Sequence, residues 1–97
     1  MSLLSPDVFA LPGRMDASTL PQTHADIVQR RGRDLDLDAS RVDRLGAQAL
    51  QLILSALATW REDGFHLRIL DPSDAVRGAF DQLGCAPILI AQKEIAA

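Results

Sequence analysis

Apolar residues in this chain recur at two spacings, every second position and every third to fourth, and each switch marks a new element. Val8 to Leu11 is a short apolar run closed by Pro12-Gly13, so it predicts a strand that leads out through Arg14, Met15 and Asp16. Ser18 or Thr19 can cap a helix, with Pro21 in a first turn whose N–H groups lack partners anyway. Leu20, His24, Ile27 and Val28 fall at i, i+4, i+7 and i+8 and predict its buried face. Gly32 is placed to end that helix, with Arg30 and Arg31 at the negative end of its dipole.

Asp34-Leu35-Asp36-Leu37-Asp38 alternates strictly and predicts a strand buried on one face only. Ser40 and Arg41 turn the chain, and Val42 to Leu45 reads as a brief extended link. From Gly46 the period changes to that of a helix. Ala49, Leu50, Ile53, Ala56, Leu57 and Trp60 form its apolar stripe, and Glu62-Asp63-Gly64 ends it. Leu52 and Leu54 lie off the stripe, so they pack either inside the domain or against a second copy. Phe65, Leu67, Ile69 and Leu70 predict a further strand. Asp71-Pro72-Ser73 opens a last helix with inner residues Val76, Ala79, Phe80 and Leu83, and Gly84 closes it. Pro87 to Ile90 predicts either a final strand or a docked tail. The resulting order, β-α-β-link-α-β-α-(β), is that of an α/β sandwich with helices against a small sheet.

At 97 residues the pattern fills one domain, 1–97, with its core expected over about 7–85. Only 4% of residues are aromatic, so aliphatic side chains must fill that core. Ten Lys and Arg against 13 Asp and Glu give a formal charge of −3, which argues against nucleic acid as a partner. Arg30, Arg31 and Arg33 do cluster, but Asp34, Asp36 and Asp38 follow at once, as on a solvated helix end. The apolar run from Leu52 to Trp60 is interrupted by Ser55 and Thr59 and falls far short of the ~20 residues that cross a bilayer. With no basic-then-apolar opening segment, the expectation is a cytoplasmic protein without a signal peptide or membrane insertion.

Groups able to do chemistry are sparse. Cys85 is the lone cysteine and has no His or basic neighbour to activate its thiol, which excludes an internal disulfide and a Cys-based zinc site. His24 and His66 stand on different elements at no ligand spacing; His24 is expected to be partly buried, His66 exposed. Asp34, Asp36 and Asp38 share one strand face, which reads as a solvated edge or outer face rather than a cation site. Glycine-rich phosphate loops are missing. The expectation is therefore a protein that is not an enzyme and carries no cofactor or metal.

Taken together, element order and local motifs resemble the STAS domain, the fold of bacterial anti-sigma factor antagonists and of regulatory tails of sulfate transporters. Leu11-Pro12-Gly13-Arg14-Met15-Asp16 matches the family's L-x-G-x-[LM]-D turn, and Leu35-Asp36-Leu37-Asp38-Ala39-Ser40 its [IVL]-x-[IVL]-D-x-[ST] strand. Pro72, Ala75, Val76, Phe80 and Gly84 fit the pattern of its last helix. The likeness covers residues 7 to 85 and is nearest to the small MlaB-like group, which includes an accessory subunit of a phospholipid-transport ABC ATPase and small proteins associated with chemotaxis. It implies a small mixed sheet of four to five strands with helices mainly on one face.

The departure lies at residues 46–49. Where switching members carry D-[ST]-[ST]-G, this chain has Gly46, Ala47, Gln48 and Ala49, so no hydroxyl stands at the position that a kinase would phosphorylate. The resemblance thus implies a signalling or adaptor protein that docks on an ATPase or kinase without that covalent switch. The partner would be a histidine kinase of a chemotaxis or two-component pathway, an anti-sigma kinase, or the transport ATPase. The expected contact residues are Arg14 and Asp16 in the first loop and Ser40, Arg41, Asp43 and Arg44 in the link. Gly46, Ala47, Gln48 and Gln51 complete them on the long helix. A different class of function, a small-ligand module holding a nucleotide or lipid at the bare N–H groups of Gly46 to Gln48, lacks a following Lys.

Overall fold

The computed structural model describes residues 7–85 and 87–89. In chain order the elements are β1 (Asp7–Ala10), β2 (Arg14–Met15), α1 (Leu20–Val28), β3 (Leu35–Asp38), β4 (Arg44–Leu45), α2 (Ala47–Asp63), β5 (Leu67–Leu70) and α3 (Asp74–Gln82). The α/β STAS-like class stands, with one refinement. The five strands divide into a three-stranded sheet, β1-β3-β5, and a separate pair, β2-β4, instead of one mixed sheet. Every pairing is parallel. Parallel neighbours need a long crossover, and α1 and α2 supply it between successive strands of the larger sheet.

Registration decides which side chains meet. Leu35 pairs with Leu67, and Leu37 with Phe9 and Ile69, so these five apolar positions share one face. Against it pack Ile27 of α1, Leu50, Ile53 and Trp60 of α2, and Val76 and Phe80 of α3, in one continuous cluster. Ile53 is fully enclosed, and burying such a side chain stabilises the fold by about 1.5–3 kcal/mol. The Trp60 indole N–H donates to the Arg33 carbonyl at 2.8 Å, which fixes the end of α2 against the start of β3. Gly64 then stops α2 in the left-handed conformation, φ 83°, where a side chain would be strained.

Several expectations need correction. β3 is the central strand, so Asp36 is not solvated: it is 4% exposed and paired with Arg68 on β5. The link from Val42 to Leu45 is extended as expected, and its last two residues go further and form β4. Helix α1 turns a different side inward than its spacing suggested. Thr23 and Ile27 are buried, whereas His24 is exposed and Val28 is 46% exposed. Gly32 does not end α1, which stops at Val28 with Gln29 as its C-cap; the intervening residues form turns, and Gly32 takes φ 92°. At the end of α3, Leu83 is 62% exposed, not an inner residue. Of the two alternatives for Pro87 to Ile90 the docked tail holds and the strand does not: residues 87–89 are helical, with Ile88 and Leu89 against the core, and Ile90 lies outside the described residues.

Candidate docking interface

Three segments leave the carboxyl ends of the sheet strands, and their hydrogen bonds knit them into one surface. The Leu11 N–H donates to the Asp38 carbonyl and the Ala39 N–H to that of Leu70, each at 2.9 Å. Beyond β1, the Gly13 carbonyl accepts from the N–H groups of Asp43 at 2.7 Å and Arg44 at 3.3 Å, which sets β2 beside β4. Gly13 fits closely here: a Cβ would sit 3.2 Å from the Arg41 carbonyl oxygen, a tight contact. The Ser73 hydroxyl donates to the Val42 carbonyl at 2.6 Å and accepts from the Val76 N–H at 3.3 Å, so one side chain caps α3 and anchors the link.

Asp16 is tied to its neighbours by hydrogen bonds and an ion pair. Its carboxylate accepts from the Ser18 hydroxyl at 2.6 Å and the Ser18 N–H at 3.0 Å, and it lies 3.3 Å from the Arg14 guanidinium. Those Ser18 hydrogen bonds, with the Arg14 charge behind them, hold its carboxyl below the usual carboxylate range. Asp38 is lowered likewise, chiefly by the Ser40 N–H at 3.0 Å and the Ser40 hydroxyl, with a smaller contribution from the Arg41 charge.

The long helix begins on this surface. Gly46 is its N-cap in an extended conformation, φ −82° and ψ 175°, and no side chain caps the first turn. No acidic residue stands in that turn, so the positive end of the α2 dipole is uncompensated by side chains. Gly46, Ala47, Gln48 and Gln51 are exposed, as are Arg14, Ser40, Arg41, Asp43 and Arg44; Asp16 is half-buried. The register puts Arg14 directly beside Arg44. The ten residues expected at the contact therefore lie on β2, the turn after it, the β3–β4 link and the first turns of α2.

Sequence reasoning missed a groove of about 840 Å³ between α1 and α2. Leu20, Ile27, Leu52, Ala56 and Trp60 form its apolar lining, and Gln48 and Gln51 join it to the surface just described. The signal was the breadth of the α2 apolar face. Leu52 lies off the main stripe and is half-buried here, and Ser55 and Thr59 interrupt the run where the groove opens.

Among the described residues no three His, Cys, Asp or Glu side chains come together as a metal site would require. His66 is exposed and Cys85 half-buried beside the core. No helix among the described residues is long and apolar enough to cross a membrane.

No curated protein and no solved structure matches the chain. The family model described as "Mlab, STAS domain" matches it over residues 3–90. Nearly the whole fold, including the β2–β4 pair and the exposed start of α2, falls within that match, and the chain belongs to the MlaB-like STAS family.

Proposed function

We propose that this protein is a non-catalytic docking module that binds a partner ATPase or kinase in the cytoplasm through the tip of α2 and the loops around it. STAS domains generally act by contacting protein partners, and the observation that carries the reading is the form of this tip. It is exposed, uncapped and built from Gly46, Ala47 and Gln48, so a partner backbone can approach closely. Gln48 can donate and accept hydrogen bonds, and Arg14, Arg41, Asp43 and Arg44 supply a polar rim that orients the partner more than it adds affinity. Ala47 has no oxygen to phosphorylate, so control at this position cannot be covalent. Our first reading of the partner is a chemotaxis or two-component kinase; the family match supports a second reading, the ATPase of a phospholipid transporter.

The test is capture from the native cytosol with the full chain, followed by affinity measurement against the partner identified. Ala47→Glu places a carboxylate on the tip and is expected to abolish binding with the melting temperature nearly unchanged, since Ala47 is exposed. A partner that binds the Glu variant as tightly as the parent does not use this surface.

A further inference from the structure

The groove between α1 and α2 is elongated. From Gln48 to Trp60 its α2 wall runs about 18 Å at roughly 1.5 Å per residue, more than three helical turns. Leu20, Ile27, Leu52, Ala56 and Trp60 make that length apolar, and Val28 beside them is 46% exposed. A trough of this length and lining suits a helix laid along it, anchored at i, i+3, i+4 and i+7.

Charge narrows the occupant. The chain carries 13 acidic against 10 basic side chains, yet no carboxylate among the described residues lines the groove; its ionisable lining groups are His24 and Arg31. Arg31 is held from outside by Asp63 at 2.8 Å. The unanswered positive charge therefore lies at the other mouth, where α2 starts without a cap or an acid.

We propose that this groove seats an amphipathic helix of the protein partner, aliphatic on its buried stripe and acidic on its flank. It runs antiparallel to α2, so that its own carboxyl end lies beside Gly46 and Ala47. The proposal rests on the reading of the α2 tip as the docking face, with which the groove shares Gln48 and Gln51. Antiparallel placement sets the negative end of the incoming dipole against the positive end of α2. No carboxylate among the described residues lines the groove and Asp63 at its Trp60 end is engaged by Arg31, so an acidic flank meets little repulsion, whereas a basic helix would gain no partner.

The test pans a phage-displayed library of tryptophan-free helical peptides on the full chain and measures affinity through Trp60, the single tryptophan, which lines the groove. The enriched peptides are expected to carry apolar residues at i, i+3, i+4 and i+7 with acidic flanks, and to shift the Trp60 emission. Ser55, exposed and in the groove wall, is the probe position. Ser55→Glu should weaken the peptides about tenfold or more by repulsion, and the isosteric Ser55→Gln markedly less. Circular dichroism of both variants must match the parent. Basic flanks in the enriched set, or equal affinity for Ser55→Glu and the parent, overturns the proposal. So does sedimentation showing a dimer that Ser55→Glu dissociates, because a second copy then fills the groove. Against the captured partner, loss on Ala47→Glu alone refutes the groove and leaves the tip. Loss on Ser55→Glu alone keeps the groove but refutes the tip, and with it the placement of the helix's carboxyl end beside Ala47.

Discussion

Removing Arg68 tests how the central strand tolerates a buried carboxylate. Asp36 lies on β3 with its side chain only 5% exposed, and Arg68 is its direct partner on β5. The guanidinium binds in a bidentate fork, Nε to Oδ1 and Nη2 to Oδ2, both at 2.9 Å. Arg68→Met keeps the length and apolar stem of the side chain but leaves the carboxylate without its ion pair. Breaking a buried pair costs about 3–5 kcal/mol, and the lower end, about 3, applies because Arg68 is itself 40% exposed and water can replace part of what it gives. For a domain of this size that is a fall of roughly 12–24 °C in melting temperature, read by circular dichroism and checked by the urea midpoint. The double variant Asp36→Leu/Arg68→Met removes both charges and is expected to recover to within about 1 kcal/mol of the parent. A single variant that loses less than about 1 kcal/mol, or a double variant no more stable than the single, refutes the reasoning.

Ile53→Asp puts a carboxylate into a site with no exposure and no partner, and is expected to leave an unfolded or insoluble chain; a cooperative, soluble variant would contradict the packing of α2. Acid should weaken the fold through three carboxylates. Asp63 is lowered chiefly by its hydrogen bond from Arg31, Asp38 by the Ser40 N–H and Asp16 by Ser18. A lowered folded value means the unfolded chain takes up protons first, so this stabilisation is present above about pH 4 and is lost as the pH falls through the folded values. Asp63→Asn should therefore flatten the dependence of melting temperature on pH below about 4, and an unchanged slope would show that the Arg31 bridge makes no contribution.

Much of the fold was legible in local pattern. Of the α2 stripe, Ala49, Leu50, Ile53, Ala56 and Trp60 are buried as the spacing predicts and Leu57 is half-buried, and Ser73 and Gly64 cap where turn chemistry places them. The periods of β1, β3 and β5 marked strands with errors of a residue or two at their ends. The exposed start of α2, with Ala47 in place of a hydroxyl, was visible as a residue choice. Each of these signals acts within about one helical turn or one strand, where sequence neighbours are also spatial neighbours.

What tertiary structure decided concerns faces that two remote segments share. Alternation in Asp34 to Asp38 describes a half-buried strand. Placement between β1 and β5 pairs both edges of β3, so Asp36 lies beneath its neighbour Arg68, a residue 32 positions away. The apolar period of α1 fits several rotations about its axis, and packing selected the one that buries Thr23 and Ile27 and leaves His24 and Val28 toward the groove. The β2–β4 pair has only two residues on each side and exists because Gly13 meets Asp43 and Arg44 across the sheet end. Periodicity and capping are local energies and can be read from residue order. Burial depends on which distant surface arrives opposite, and that is settled only when the whole chain packs.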